Sequence, residues 1–157
     1  MKKQETNGMR GLNLPPYAVR VRETDGRKQI YDFLRRRWVA LTPEEWVRQH
    51  FVHYLVEEKG YPKGLLGNEI ELRIGEKRLR CDSLLYNRDM RPLMILEYKA
   101  PDVEVTQKVF DQISAYNMLL RVDYLVVSNG IRHFCCRMDY EKREYSFLRD
   151  IPEYERL

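Results

Sequence analysis

The sequence predicts an α/β domain in which a mixed β-sheet is flanked by helices, with an N-terminal β-hairpin extension. Two helical patterns, at residues 41–62 and 105–122, enclose three β-prone runs, and a nearly all-apolar run at 123–130 follows the second helix. A helix is long enough to join two parallel strands by a right-handed crossover, whereas short turns join antiparallel strands. The expected core order is therefore helix, three strands, helix, strand.

The composition is that of a single globular domain. Of the 157 residues, 43% are hydrophobic and 33% are charged, which is enough apolar material for a core. No apolar run approaches the roughly 18 residues that cross a bilayer, and no apolar stretch follows the N-terminal lysines to make a secretory signal. We therefore expect a cytoplasmic protein without a membrane partner, with a flexible N-terminus at 1–15 and one domain at 16–157.

Turn and capping residues place the first elements. In YAVRVRETDGRKQIYDF, two β-prone runs meet at Asp25–Gly26, which is a strong turn signal and predicts the hairpin. The first helix begins with Thr42 as N-cap, Pro43 at the first helical position and Glu45 as the acid of a capping box. It ends at the Gly-Tyr-Pro run of residues 60–62.

The remaining elements follow from hydrophobic patterning. The runs NEIELRI, KRLRCDSLLY and RPLMILEYKA predict three strands. The second helix carries one apolar stripe of residues at helical spacing, Val109, Ile113, Tyr116 and Leu120. DYLVVSNG predicts a buried strand, and IRHFCCRMDY and REYSFL predict further strands at the same edge of the sheet.

Three ionisable residues lie inside the most strand-like stretch, RCDSLLYNRDMRPLMILEYKAP. A symmetric loop over residues 87–92 pairs Tyr86 with Leu93 and, farther along, Asp82 with Glu97. Side chains alternate between the two faces of a strand, so these two acids share one face with the lysine two residues after Glu97. Directly opposed residues have Cβ atoms about 4.5–5.5 Å apart, so two carboxylates are predicted to meet.

Opposed carboxylates in a half-buried sheet repel each other and lose hydration. A proton on one acid, a basic side chain paired with both, or a bound cation relieves the repulsion. Two oxygen ligands with the rest of the shell left to water suit Mg²⁺. The alternative is a surface charge cluster in which Lys99 or Arg80 neutralises Asp82 and Glu97.

The same stretch resembles a known family. Asp82, fourteen intervening residues and then Glu97-x-Lys99 are similar to the PD-(D/E)XK nuclease superfamily, although Cys81 stands where that pattern has proline. TPEEWVRQHFVHYLVEEKGYP, ILEYKAP, DQISAYN and YLVVSNG resemble the N-terminal nuclease domain of type I restriction enzyme R subunits, over roughly residues 15–150. The resemblance implies a restriction-endonuclease-like fold. No helicase-like motor follows in this sequence, so we expect no ATP-driven translocation.

The resemblance also implies Mg²⁺-dependent hydrolysis of phosphodiester bonds in DNA, with Mn²⁺ as a substitute metal. Asp82 and Glu97 would hold the metal, which polarises the scissile phosphate and lowers the pKa of a bound water. Lys99 would orient that water and offset negative charge on the phosphoryl oxygens, or would act as a base after losing its proton. The implied partners are DNA and other restriction or repair subunits.

Further site residues are expected on the two helices. Glu45 is the candidate for the acid that the first core helix contributes in this superfamily, and the alternative is that it only completes the capping box. Gln49 lies one turn later on a similar face. Gln112 and Tyr116 form a Q-x-x-x-Y pair resembling that of the RecB-like branch, although Tyr116 equally fits core packing. Lys108 extends their polar row toward a DNA backbone.

Two residues remain weaker candidates, and two other functions remain open. Arg48 is expected to lie in solvent or, alternatively, to contact phosphate, and Glu69 lies on the strand before the acidic hairpin.

The main alternative function is a catalytically idle nuclease-fold module that binds DNA or protein. A purely structural α/β domain requires the opposed acids to be a coincidence.

Overall fold

The described part of the chain folds into two β-sheets and two long helices. The structure is a computed structural model that describes residues 8–157, except for the side chain of Tyr116. The helices are α1 (Pro43–Lys59) and α2 (Gln107–Leu120), with short 3-10 helices at Lys63–Leu65 and Tyr154–Arg156. The strands, in chain order, are β1 (Val21–Thr24), β2 (Arg27–Asp32), β3 (Arg37–Ala40), β4 (Leu66–Ile74), β5 (Lys77–Tyr86), β6 (Pro92–Tyr98), β7 (Tyr124–Ser128), β8 (His133–Asp139) and β9 (Glu144–Phe147).

The main sheet consists of β4 to β9, which lie side by side in chain order. Neighbouring strands run antiparallel except β6 and β7, which are parallel because α2 connects them as a crossover. The last strand, β9, pairs with β8 at the sheet edge. The predicted mixed sheet with flanking helices is confirmed.

Strands β1, β2 and β3 form a separate antiparallel sheet, where only a two-stranded hairpin was predicted. The turn before β3 is closed by Asp32, whose Oδ1 accepts hydrogen bonds from the backbone N–H groups of Leu34 (2.9 Å) and Arg35 (3.0 Å). Arg36 takes a left-handed conformation there, with φ 55°. Because no Gly, Asn or Pro marks this turn, the sequence pattern gave no signal for the third strand.

Both ends of the first helix follow the predicted caps. Thr42 Oγ1 accepts a hydrogen bond from the backbone N–H of Glu45 at 3.1 Å, Pro43 is the first helical residue, and Gly60 takes the left-handed conformation in which the chain leaves the helix. Such a C-cap is open to glycine without the strain that a Cβ would add. Among the described helices, none combines the length and the apolar character that a membrane span requires.

The two helices pack on opposite faces of the main sheet. Side chains of α1 such as Phe51 share one hydrophobic cluster with Leu96 and Val126. Phe110 of α2 shares a second cluster with Ile95 and other residues of the opposite face. Because neighbouring residues of a strand face opposite ways, β6 supplies one face to each helix. The α2 face is the one on which the acidic hairpin was expected to act.

The segment before β1 packs on the domain from residue 10 onward. The backbone N–H of Asn13 donates to Gly130 O at 2.8 Å, the indole Nε1 of Trp46 donates to Arg10 O at 3.2 Å, and Leu14 is buried. Residues 1–7 lie outside the described residues. The flexible N-terminus at 1–15 and the domain boundary after it stay predictions.

Candidate active site

The hairpin of β5 and β6 brings two acids together. Ser83 pairs with Leu96, and the same register continues to Leu85. Continued one step beyond Ser83, this register would place Asp82 opposite Glu97, and the hydrogen bonding between their side chains agrees with that position. The sheet therefore supplies two carboxylates at one point of its α2 face.

Nearer the loop, the predicted pairing is wrong by one residue. Tyr86 pairs with Pro92 rather than with Leu93. Asn87 closes the loop asymmetrically, because its side-chain Oδ1 accepts hydrogen bonds from two later backbone N–H groups at 2.9 and 3.0 Å. An irregularity of the strand pair just before Tyr86 absorbs the difference, so the pairing from Leu85 to Ser83 keeps the predicted register.

Backbone contacts hold two of the predicted catalytic residues, Asp82 and Lys99, in place. Asp82 Oδ2 accepts a hydrogen bond from the backbone N–H of Tyr98 at 2.9 Å. The backbone N–H of Lys99 donates to Ser128 O at 2.8 Å, which extends the parallel pairing of β6 with β7 past the end of β6. By alternation, Glu97 and Lys99 project from one face of the strand, whereas Tyr98 projects from the other.

The surroundings of Glu97 disfavour its ionised form. Burial raises the pKa of Glu97 well above its usual range, and the charge of Asp82 and the side-chain hydrogen bond to it raise that pKa further. Lys99 opposes the shift without cancelling it. Of the three ways to relieve the repulsion, the raised pKa favours a proton on Glu97.

Asp82 and Glu97 fit a divalent cation by the chemistry of their oxygen donors. A cation between them would relieve their repulsion in place of a proton. No cluster of three or more His, Cys, Asp or Glu side chains with metal-binding geometry occurs within residues 8–157, so such a cation would complete its shell with water and substrate oxygens. Mg²⁺ binds in this way, through one or two carboxylates plus phosphate oxygens.

An open cleft of about 370 Å³ lies beside these acids. Glu97 and Lys99 line it together with Gln112 of α2, and Arg78 and Arg80 of β5 add two more basic side chains. The rest of its wall is mostly apolar. The structure thus brings Gln112 to the predicted catalytic residues, in a cleft whose volume is at the lower end of the usual range for ligand sites.

The other two predicted contacts on α2 differ from Gln112. Lys108 is exposed one turn earlier and is not part of the cleft wall. The side chain of Tyr116 lies outside the part of the chain that the structure describes. Substrate binding by both residues stays a prediction.

Glu45 lies in a buried ion-pair cluster and not beside the two acids. Its Oε1 pairs with Arg35 Nη2 at 2.9 Å, and its Oε2 pairs with Arg48 at 2.5 Å. The capping box is only half formed: Thr42 Oγ1 accepts from the Glu45 N–H, but the backbone N–H of Thr42 donates to Ala40 O. The carboxylate binds arginines instead, because two guanidinium groups reach it inside the fold.

Gln49 was predicted to contact substrate, and the structure contradicts this. The residue is 0% exposed, and neither amide atom of its side chain has a hydrogen-bond partner among the described residues. The N-terminal segment also packs on α1. Phe33, for example, packs its ring on His53 of α1 with centroids 3.9 Å apart.

The expected solvent position of Arg48, and the phosphate contact offered as its alternative, are both wrong. The residue is 8% exposed, and its Nη1 donates to Glu69 Oε1 and to the backbone carbonyl of Asp82, both at 2.8 Å. Glu69 faces Asp82 across β4 and β5 in a left-handed conformation with φ 55°, and its other oxygen pairs with Arg80 at 2.6 Å. Arg48 therefore connects α1 to the strand that carries Asp82.

A second polar chain, missed in the sequence, runs behind the acids. Tyr98 Oη donates to Ser83 Oγ at 3.0 Å, Ser83 Oγ donates to Asn68 Oδ1 at 2.7 Å, and Asn68 Nδ2 donates to Asp32 Oδ2 at 3.0 Å. These four residues are buried. Asp32 also pairs with Arg35 at 2.5 Å, so both chains join at the N-terminal sheet. The sequence does contain one signal for this chain of hydrogen bonds. Asp32 lies in the β-prone run KQIYDF, and an acid that is buried in a strand needs a partner.

Comparisons with known proteins show the family and a similar fold. The family described as "Type I restriction enzyme R protein N terminus" matches residues 43–152. Among solved structures, a fragment described as an HsdR subunit of a type I restriction enzyme from Vibrio vulnificus YJ016 has a similar fold, with a TM-score of 0.50 and 22% identity. The match covers 71% of this chain and 24% of that one, so this chain corresponds to about a quarter of its length. No curated protein gives a significant match.

The family match covers more than half of the chain and includes both helices, the acidic hairpin and the strands β7 and β8. The chain therefore belongs to the type I restriction enzyme R protein N-terminal family.

Proposed function

We propose that this domain is a Mg²⁺-dependent DNA endonuclease that hydrolyses phosphodiester bonds, with Mn²⁺ as a substitute metal. The observation that carries the proposal is the proximity of the Asp82 carboxyl group to Glu97, which lines an open cleft together with Lys99. Membership of a restriction enzyme family supports it. Other subunits of a restriction or repair assembly are the proposed protein partners, alongside DNA.

The order of elements supports a PD-(D/E)XK core. Helix α1 is followed by β4, β5, β6, α2 and β7, which is the order that the resemblance implies for this superfamily. We assign the domain to that fold, with β1 to β3 as an extension. In this assignment, the acid of β5 and the Glu-x-Lys end of β6 meet at the face covered by α2.

The residues divide the proposed chemistry among them. A divalent cation held by Asp82 and Glu97 would polarise the scissile phosphate and lower the pKa of a bound water. Lys99 would orient that water and offset the charge that develops on the phosphoryl oxygens. Gln112, on the opposite wall of the cleft, would hold the DNA strand near the reacting phosphate. Arg80 would contact a flanking phosphate.

Arg48 and Glu45 would act as positioning residues. Arg48 donates to the Asp82 carbonyl and fixes the strand on which the Asp82 carboxylate is mounted. Glu45 holds Arg48 from the opposite side. The acid of the first helix would then serve the site through Arg48 and would not contact metal or substrate.

The test is nicking of supercoiled plasmid by the purified chain in Mg²⁺, in Mn²⁺ and in EDTA. We expect metal-dependent nicking that Lys99→Met reduces by about 10²–10³-fold, with the circular dichroism spectrum unchanged. Lys142→Met is the matched control, because Lys142 is an exposed lysine on the turn between β8 and β9. This control should cleave at the wild-type rate.

Two outcomes would count against the proposal. Retained cleavage in Lys99→Met would show that the chemistry is elsewhere. A wild-type chain that binds DNA without cleaving it in either metal would fit the idle binding module instead.

A further inference from the structure

The N-terminal sheet carries an arginine-rich outer face that the proposed active site does not use. Arg22 pairs with Gln29, Tyr31 pairs with Trp38, and the backbone N–H of Tyr31 donates to Arg20 O at 2.9 Å. Directly opposed residues of a sheet share a face. Arg20, Arg22, Gln29, Tyr31 and Trp38 therefore lie on one side, which we term the arginine face.

The arginine face points away from the protein interior. The opposite side of the sheet contains Ile30 and Asp32, both 0% exposed. Asp32 contacts Asn68 of β4, so that opposite side packs toward the main sheet and α1. On the arginine face, Arg20 and Arg22 are exposed, whereas the aromatic residues beneath them are half-buried.

Aromatic rings hold both guanidinium groups in place. Arg20 lies 4.4 Å from the ring centroid of Tyr31 and 5.4 Å from that of Trp38, and Arg22 lies 4.3 Å from the Trp38 centroid. Arg22 Nε also donates to Gln29 Oε1 at 2.8 Å. Stacking of this kind restricts a long, flexible side chain before any ligand arrives, so less entropy is lost on binding.

The two cations lack acidic partners within residues 8–157. No carboxylate there forms an ion pair with Arg20 or Arg22, and the nearby acid Asp32 is engaged by Arg35. Residues 20–37 contain seven lysines and arginines against three acids. Like charges gathered at one tryptophan repel each other, and an anionic partner would relieve that repulsion.

We propose that the arginine face binds the phosphate backbone of DNA outside the cleavage cleft. DNA presents one negative charge per roughly 1.7 Å of duplex axis, and the guanidinium fork matches phosphate oxygens. We take DNA as the partner in preference to an acidic protein surface, because the regularly spaced phosphates of a duplex can meet both guanidinium groups. The inference rests on the proposed function in taking DNA as the substrate.

The arginine face and the proposed cleavage site lie on different sides of the main sheet. The N-terminal sheet lies on the α1 side of the main sheet, whereas the cleft lies on the α2 side. A contact there would raise the affinity for DNA without touching the reacting phosphate. Loss of the two arginines should therefore raise KM for plasmid nicking and leave kcat unchanged.

The direct test measures DNA binding in EDTA, where no cleavage occurs, by fluorescence anisotropy with a labelled 30-base-pair duplex. For Arg20→Gln/Arg22→Gln, we expect the slope of log K against log salt to fall by about 2, since each lost phosphate contact contributes about 0.9. The affinity should fall by roughly tenfold or more at 0.1 M salt. Arg20→Lys/Arg22→Lys keeps the charge and should keep the slope.

A matched double variant removes the same charge elsewhere. Arg137 and Arg149 are exposed and form no ion pair within the described residues. Arg137→Gln/Arg149→Gln should retain the wild-type slope. If both double variants lost DNA affinity equally, net charge alone would explain the effect, and the proposal would be overturned.

Two further results keep this proposal distinct from the nuclease assignment. If the wild type and Arg20→Gln/Arg22→Gln bind DNA equally, the arginine face is not a DNA surface. This conclusion holds whether or not the protein nicks plasmid, and an acidic protein is then the partner to test. If the double variant binds more weakly but no metal supports cleavage, the face is supported and the nuclease function fails.

Discussion

Glu97 occupies a position where its ionised form is unfavourable. Burial and the neighbouring Asp82 raise its pKa above that of an ordinary glutamate. A group whose pKa is raised by folding contributes stability that is fully present below its unfolded pKa, about 4.3. That contribution is lost as the pH rises through the folded pKa. The metal-free domain should therefore lose stability toward alkaline pH.

Glu97→Gln should remove this loss. The amide is neutral at every pH, so thermal unfolding in EDTA should show a smaller decrease between pH 6 and pH 9 than in the wild type. Glu57→Gln, an exposed glutamate on α1, is the control and should follow the wild type. The same alkaline decrease in all three proteins would contradict the assigned pKa shift.

The same titration predicts how metal binding depends on pH. Mg²⁺ requires the ionised carboxylate, so its affinity for the wild type should rise with pH toward the Glu97 pKa, with release of a proton on binding. Isothermal titration in two buffers of different ionisation enthalpy measures that proton. No proton release at pH 7, with Mg²⁺ bound, would show that Glu97 is ionised before the metal arrives.

Single positions also show where sequence reasoning succeeded. The pairing of β5 with β6 as far as Ser83 and Leu96 agrees with the count from the loop, and the opposition of Asp82 and Glu97 one step farther stays a prediction. The Tyr86 pairing was off by one residue because a side-chain hydrogen bond shaped the loop. Gln49 could not be placed from its helix alone, since the burial of a helix residue depends on what packs on the helix from other parts of the chain.

At the scale of elements, α1 is held between two sheets by charge as well as by apolar packing. Arg48 is the central cation, with Glu45 on one side and Glu69 on the other. Removing one member of a buried ion pair leaves the remaining charge without a partner, which commonly costs about 3–5 kcal/mol. The local pattern of α1 predicted its caps, but not these partners, which come from distant segments.

Arg48→Met tests this cluster by chemical denaturation. We expect the free energy of unfolding to fall by up to about 3–5 kcal/mol, because the buried carboxylate of Glu45 and the half-buried carboxylate of Glu69 each lose one of their two arginine partners. Arg36→Met, at an exposed turn position, should change it by less than about 0.5 kcal/mol. A loss in Arg48→Met as small as in this control would mean that the cluster adds nothing to stability.

A double-mutant cycle separates the pair from general disruption. In the Arg48→Met background, Glu45→Gln should cost less than it does in the wild type, because the pair with Arg48 is already lost and only the pair with Arg35 remains. Equal costs in both backgrounds would show that Glu45 and Arg48 are not coupled.

On the scale of the whole molecule, the N-terminal sheet is connected to the acidic hairpin of β5 and β6 by hydrogen bonds, although the family match begins only at residue 43. Asp32 is the junction, since it pairs with Arg35 and accepts a hydrogen bond from Asn68. Arg35 in turn pairs with Glu45.

The mixed sheet and its helices could be predicted from periodicity because these signals are local. The attachment of the extension could not, because it depends on buried polar contacts between segments far apart in the chain.

Removing the extension should therefore damage the core. A chain that lacks residues 1–41 loses Asp32 and Arg35, so Glu45 and Asn68 are left with fewer partners, and α1 loses the ring of Phe33 that covers His53. We expect a lower unfolding temperature and faster amide exchange in α1 than in a control chain that lacks only residues 1–7. If the short chain does not fold, Asp32→Asn in the full chain should still lower the unfolding temperature, because Arg35 loses its carboxylate. If both variants were as stable as the wild type, the N-terminal extension would not contribute to the stability of the domain.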